Sequence, residues 1–411
     1  MNGFTARGAS LLLFVAAAAC SSATSTVDDS SDDALTKAKI TATPVAAASG
    51  LKSTPPGAGA YRVNLIDVGT GLAMLIQGHD FTMLYDGGSN DDSRGIEATS
   101  TRRGNQSRLL AYLYATVGPS GGPECVPQGE QWQAGTDSPQ RTIDHLFLSH
   151  AHRDHISMLG DVLHCYDVKN VWEPGAAYAD SQAYTDFFAS VVAETGVKYH
   201  TAAAPPSPLP DKFLGTSLPD GFSWEQFAEN DTITFGRGAS AKVLHADGAD
   251  HESDVNLNSL VLRMTLGKAS MLIMGDAEAG ARGAADSSPG AVEGDLLTRH
   301  KTELAVDIFQ VGHHGSSTSS RSQFLAAVFP KPARPRFALL SVGPTPYSGV
   351  TLPDQSVMDE LNALSSSGVK LLRTNEHDPD NGHSTCPTQD RIGMDDDSTG
   401  GCDNHILEIS P

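Results

Sequence analysis

The chain has 411 residues and a mass of 43.1 kDa, with 39% apolar, 19% charged and 6% aromatic residues, 40 Gly and 23 Pro. That length is ample to bury a core, and the composition excludes a coiled coil, a fibre and a disordered chain in favour of a loop-rich globular fold. Lys and Arg number 28 against 49 Asp and Glu, a formal charge of −21, so the surface as a whole repels polyanions. It cannot grip nucleic acid by electrostatics alone, and a phosphate substrate requires a local source of positive charge.

Residues 1–20 read as an export signal: Arg7 in a short first segment, an apolar stretch over 11–15, four alanines at 16–19 and then Cys20. The stretch is too short to span a bilayer as a mature helix. Ala17, Ala18, Ala19 and Cys20, followed by Ser21 and Ser22, resemble a bacterial lipobox, in which Cys20 becomes a lipidated first residue. A Leu is usual where Ala17 stands, and plain signal-peptidase cleavage in the alanine run is the alternative. The expected location is therefore periplasmic, outer-membrane-anchored or secreted, with any membrane contact made through the lipid. Removing residues 1–19 takes away Arg7 and no acid, which moves the charge from −21 to −22.

Residues 21–60 are rich in Ser, Thr, Ala, Asp, Gly and Pro without apolar periodicity, the composition of a disordered, solvated tether. Folded structure is expected from Tyr61, giving one domain over 61–411. Besides Cys20, the chain has Cys125, Cys165, Cys386 and Cys402. An even number in an exported protein points to two disulfides, with three pairings open. Proximity favours Cys125 with Cys165 and Cys386 with Cys402. The second pair would close a loop holding Asp395, Asp396 and Asp397, whose spacing is that of a solvated charge run rather than a calcium loop.

In chain order, β-branched and apolar runs predict strands at 63–68, 74–77 and 82–85, the last followed by Asp86, Gly87 and Gly88. A helix is expected at 108–116, an irregular insertion at 118–140, a buried strand at 143–148 and a helix at 156–164. The second half repeats the style, with strands at 232–235, 241–245, 260–266, 271–274, 308–311 and 338–342, and helices at 186–195, 322–328 and 355–364. Two sets of strands with helices outside them imply an α/β fold of αβ/βα sandwich type, its sites at the strand ends. No solenoid-like repeat is present.

The sharpest chemical signal is Ser149, His150, Ala151, His152, Arg153, Asp154, His155. Three imidazoles and a carboxylate directly after a buried strand are the nitrogen and hard-oxygen donors of a transition-metal site. Alternate residues of an extended loop project to one side, so His150 and His152 can share one metal. Asp154 and His155, on the turn into the helix, face another.

With this motif the sequence resembles the metallo-β-lactamase superfamily, marked by HxHxDH, and more closely the hydrolase domain of the competence protein ComEC and its free-standing relatives. The resemblance covers about residues 61–375 in six ordered segments. These are Ile66-Asp67-Val68-Gly69-Thr70-Gly71, Leu84-Tyr85-Asp86-Gly87-Gly88, the His motif, Asn258-Ser259-Leu260-Val261-Leu262, Met274-Gly275-Asp276-Ala277-Glu278, and 307–316 with Val311-Gly312-His313-His314-Gly315-Ser316. It implies that Asp86 braces the His loop, that His150, His152, Asp154 and His155 are metal ligands, and that Asp276 bridges two metals. One of His313 and His314 would close the second metal while its neighbour meets the substrate or leaving group. The implied cofactor is a pair of divalent ions, zinc or manganese.

Three departures from the pattern bear on activity. Many members carry a further His before the bridging Asp. Here His245 and His251 are out of frame, and Asn256 or Asn258 stands near the place. The family's Gly-Gln-Gly-Asp is Gly69-Thr70-Gly71-Leu72, and Leu352 precedes Pro353 where a His is common.

Two divalent ions with Asp154, Asp276 and a bridging hydroxide would leave one net positive charge, suited to a phosphodiester monoanion. Metal-bound water ionises near pH 7, roughly, so no Ser or Cys nucleophile is needed. Asp154 or the spare imidazole of His313 and His314 would carry the proton. The expected function is an exported metal-dependent hydrolase, a phosphodiesterase or nuclease acting on small or short nucleic-acid phosphodiesters, with no protein partner. Lactone, thioester or β-lactam hydrolysis on the same fold is the alternative, as is a non-catalytic surface protein on a decayed site.

Overall fold

The computed structural model describes residues 38–45, 50–91, 107–118, 125, 141–176, 178–251, 254–330, 336–347, 349–376 and 403–411. The expected export signal with Cys20, most of the 118–140 insertion, Cys386, Cys402 and the Asp395 to Asp397 run lie outside them. In chain order the strands of the first half are β1 (Lys39–Val45), β2 (Tyr61–Leu65), β3 (Met74–Gln77), β4 (Thr82–Tyr85), β5 (Thr142–Phe147), β6 (Asp167–Glu173) and β7 (Lys198–Thr201). A two-stranded hairpin, β8 (Lys212–Phe213) and β9 (Thr216–Ser217), and β10 (Ser223–Gln226) follow. The second half holds β11 (Thr232–Gly236), β12 (Ala239–His245), β13 (Val261–Leu266), β14 (Ala269–Ile273), β15 (Ile308–Gln310), β16 (Arg336–Leu340), β17 (Val369–Arg373) and the returning β18 (Asn404–Ser410).

Among the described residues these form a nine-stranded sheet, β1-β18-β2-β3-β4-β5-β6-β7-β10, and a seven-stranded sheet running β11 to β17 in order. Helices α1 (Arg108–Thr116), α2 (Arg153–Ile156), α3 (Leu159–Cys165) and α4 (Gln182–Ala193) belong to the first half. Helices α5 (Ala291–Arg299), α6 (Ser322–Val328) and α7 (Gln355–Ser365) belong to the second.

Three buried clusters show the layering. Val63, Leu65, Met74, Ile76 and Phe147 of the first sheet meet Val243, Leu262, Met264 and Met271 of the second. Leu75, Leu84 and Leu146 turn the other way, onto α1, α3 and α4. Leu272, Phe309 and Leu340 pack onto α5, α6 and α7. A strand covered on both faces needs apolar residues on both, which is why the central strands read as continuous runs rather than alternating ones. The αβ/βα sandwich expected from the sequence is therefore the fold.

Several expectations are corrected. The fold does not begin at Tyr61: β1 pairs antiparallel with β18 along its whole length, Lys39 opposite Ser410, so part of the expected tether is an edge strand. Its partner lies at the far end of the chain, beyond the reach of local composition. The single helix expected at 156–164 is broken into α2 and α3, because the Met158 amide donates to the Gly87 carbonyl at 2.9 Å instead of continuing α2. Strand 63–68 ends at Leu65, where Asp67 turns away to pair with the buried Arg108. The Cys125–Cys165 bond expected from proximity is formed, at the end of α3. No described helix is long and apolar enough to cross a membrane.

Candidate metal centre

The residues singled out by the sequence converge at one end of the sandwich. From the first sheet, β5 delivers Ser149 to His152 as an extended loop, and His152 is the N-cap residue of α2, which carries Asp154 and His155. From the second sheet, β14 runs into Met274, Gly275 and Asp276, and β15 runs into a tight turn over Gly312–Gly315. The Leu260 amide donates to the Ser149 carbonyl at 3.0 Å, which ties the two halves together beside the site.

Two glycines are demanded by this approach. A Cβ on Gly88 would lie 2.4 Å from the backbone of Asp154 and His155. One on Gly275, at φ 55°, would lie 2.7 Å from Ser149 Cβ. The residues around them are pinned. Asp276 N donates to Ser259 Oγ at 3.1 Å, and the Met274 and Gly275 amides donate to Gln310 Oε1 at 2.7 and 2.9 Å. Asp86, His313 and His314 hold φ values of 56°, 47° and 50°, a left-handed backbone that costs a non-glycine roughly 1–2 kcal/mol each. Such strain persists only where surrounding contacts enforce it.

Two groups of side chains could hold a metal, and they share Asp276. One is Asp154, His155, Asp276 and His314; the other is His150, His152 and Asp276, with the donor atoms of each group within 4.8 Å of one another. In the first, His155 Nε2 lies 3.2 Å from Asp276 Oδ2 and 3.1 Å from His314 Nε2, and His314 Nε2 lies 3.2 Å from Asp154 Oδ2. Both imidazoles are committed through Nδ1: His155 to Asp86 Oδ2 at 2.8 Å, and His314 to the Ser341 carbonyl at 2.8 Å. That leaves each Nε2 lone pair aimed inward, the arrangement by which a carboxylate or carbonyl orients a metal-binding His. Asp86 also accepts from Ser149 N and Oγ at 2.6 and 2.7 Å, so it braces the His loop as the resemblance implies. In the second group His150 Nε2 and His152 Nδ1 are 3.0 Å apart, and Ser149 Oγ supports His150 Nδ1 at 2.9 Å.

The electrostatics ask for a cation. Burial alone pushes the Asp154 and Asp276 carboxyls up, but the neighbouring His155 and His314 outweigh it and hold both below the usual range. Burial pushes His155 and His314 down, yet the Asp276 and Asp154 charges raise both, His314 to about 10. His150 and His152 move down, chiefly through burial, and are neutral ligands at pH 7. Asp154 Oδ2 and Asp276 Oδ1 are buried without a hydrogen-bond partner. Two carboxylates with free oxygens among four imidazoles fit a metal centre in donor type and in unmet charge.

The choice between His313 and His314, open in the sequence, is decided by geometry. His314 is 2% exposed and belongs to the ligand group. His313 is 19% exposed, with Nδ1 lying 2.7 Å from Thr318 Oγ1 and 3.0 Å from Glu278 Oε1, and Nε2 lying 3.7 Å from Asp276 Oδ2. Of the two asparagines near the expected place of the extra His, Asn256 lies beside His313. Its Nδ2 lies 3.0 Å from Glu278 Oε1 and 3.4 Å from His313 Nε2. Asn258 instead receives the Tyr178 hydroxyl and holds the Asp247 and Ala249 carbonyls. The sequence reading gave Glu278 and Gln310 no role, although the spacing of Glu278 two residues after Asp276 offered a signal. Asp254 lies in the field of Glu278 and near His152 and His313.

This chain belongs to the metallo-beta-lactamase superfamily: the family model matches residues 66–334, which hold every candidate ligand. It is thereby a metal-dependent hydrolase of that superfamily. Among curated proteins it is similar to "Competence protein ComA" of Neisseria gonorrhoeae, 34% identical over 122 residues, 29% of this chain and 14% of that protein. It is also similar to "ComE operon protein 3" of Bacillus subtilis, 24% identical over 238 residues, 58% of this chain and 24% of that protein. The chain thus spans a quarter or less of these relatives' length. Among solved structures, the metallo-beta-lactamase fold protein YhfI of Bacillus subtilis superposes at TM-score 0.38 and 12% identity, over 76% of this chain and 96% of YhfI.

Proposed function

We propose that the protein is an exported phosphodiesterase or nuclease that works with two divalent ions, zinc or manganese, on small phosphodiesters or short nucleic-acid fragments. The observation that carries this reading is the sharing of Asp276 by two adjoining ligand groups. Export is supported by the signal-like residues 1–20 and by the Cys125–Cys165 bond, which persists in an oxidising compartment. The lipobox-like Cys20 would supply the membrane contact. The resemblance of the motifs to the ComEC-type hydrolase domain favours a phosphodiester over an acyl substrate.

Asp154, His155, Asp276 and His314 would hold one ion, and His150, His152 and Asp276 the other. Divalent ions bound there supply Lewis acidity and ionise water near neutral pH. The chain's own groups do the rest. Asp86 and the Ser341 carbonyl keep the Nδ1 protons of His155 and His314, so that both Nε2 atoms stay available. His313, fixed through Nδ1 by Glu278 and Thr318, presents Nε2 at the partly open mouth, where it can hand a proton to the leaving oxygen. The pocket would be net positive in a chain of formal charge −21, which admits a compact monoanion and repels a long polyanion.

The test offers the purified full chain a chromogenic phosphodiester and a chromogenic cephalosporin, each with and without zinc or manganese. Metal-dependent release from the phosphodiester alone is expected. Release from the cephalosporin alone would move the assignment to acyl substrates. Less than one ion per chain after dialysis against either metal would mark a decayed site.

A further inference from the structure

Tyr347 lies outside the sequence motifs assigned above, held by reciprocal 2.8 Å bonds between its backbone and that of Val350. The segment is anchored to the other half of the molecule, where the Thr345 amide donates to Thr70 Oγ1 at 2.9 Å. The phenol ring stacks on the His314 imidazole, with centroids 5.4 Å apart and planes 19° from parallel. Its hydroxyl oxygen is buried beside the Asp154 carboxylate, which is an acceptor within its reach. With the Asp154 oxygens given to a metal, the hydroxyl would need another acceptor, since a buried hydroxyl left unmade costs roughly 1–3 kcal/mol.

The groups around it say what the partner is. With a metal bound, the Asp154 and Asp276 oxygens and the Nε2 atoms of His155 and His314 would be spent on it, while the Nδ1 atoms already face Asp86 and the Ser341 carbonyl. A phosphoryl centre brings acceptor oxygens that no side chain in this ligand group can hydrogen-bond as a donor. We infer that Tyr347 is a further catalytic residue, its phenol donating a hydrogen bond to a non-bridging phosphoryl oxygen of the substrate. The inference rests on the phosphodiester reading of the same site. No proton is transferred in this role: the phenol stays protonated and its bond to oxygen strengthens as charge develops in the transition state.

The test is Tyr347→Phe in the full chain, which keeps the ring on His314 and removes only the hydroxyl. Bound metal is counted, binding of inorganic phosphate to the metal-loaded protein is measured by calorimetry, and turnover of the chromogenic phosphodiester is followed. The expected result is unchanged metal content, phosphate affinity roughly tenfold lower, and kcat roughly ten- to a hundredfold lower with a smaller change in KM. Phosphate affinity and turnover equal to wild type overturn the role. Loss of metal in the variant also overturns it, since Tyr347 would then be a support for Asp154. So does a wild-type protein that holds metal but no phosphate. If wild type binds phosphate yet cleaves no phosphodiester, the substrate reading fails, while the phosphate affinities still decide the role of Tyr347.

Discussion

The two ligand groups that meet at Asp276 differ in how much protein stands behind them. The Asp154, His155 and His314 side has four candidate ligands, all buried, with each imidazole backed by Asp86 or the Ser341 carbonyl. The His150 and His152 side has three, His152 is only half-buried, and Asn256 rather than another imidazole stands beside His313. One half is fully preorganised and the other is left open toward the cleft. A site of this kind can keep one ion as part of its structure and exchange the second, the distinction seen between closed structural sites and open catalytic ones.

The largest effect is expected where the halves join. Asp276→Ala removes the shared carboxylate, so bound metal should fall below one ion per chain. Turnover should drop at least roughly a thousandfold, the several kcal/mol a catalytic ion contributes. Retention of two ions by metal analysis would dissolve the comparison.

Asp86→Asn comes next, because it frees His155 Nδ1 and Ser149. Affinity on the four-ligand side should weaken by about 10- to 100-fold, read by competition against a chromogenic chelator. The reverse change sharpens the contrast: Asn256→His should tighten the weaker site by roughly tenfold. Two separated release steps in a chelator titration of wild type should merge toward one in that variant.

The smallest effect concerns the loop that carries His313 and His314. Buried Glu293 on α5 accepts from the Arg321 amide at 3.3 Å and from the Ser320 amide, clamping the residues that follow the histidine pair. Burial raises its carboxyl to about 8. A raised carboxyl contributes stability that is complete below its ordinary value and lost as pH rises through about 8. Glu293→Gln should therefore melt progressively higher relative to wild type from pH 5 to pH 9. A constant difference across that range would remove Glu293 from the clamp.

Much of the site was legible in linear order. The His150 to His155 run, Asp276 and the histidine pair each follow a buried strand, and ligand type and strand-end position are local properties. Asp86 could be carried over because its Gly-Gly neighbours mark the close backbone approach that the structure requires of Gly88. What escaped was decided by contacts between distant residues. Glu278 gains its role only when His313 folds against it, and Gln310 only when β15 lies beside β14. Strand β1 has the composition of a tether and becomes a strand because β18 supplies its missing hydrogen bonds.

By itself, then, the sequence determined the donor chemistry, the layered α/β architecture and the order in which ligands leave the strands. These follow from residue type and apolar patterning, which act within a few residues of each other. Only the tertiary structure decided that His314 rather than His313 is the inward imidazole, that Asn256 lies beside Glu278 and His313, and that Tyr347 stacks on His314. Those outcomes depend on which backbone turns are forced into the left-handed region and which side chains from separate halves compete for one space. Packing resolves that competition, and no stretch of sequence encodes it alone.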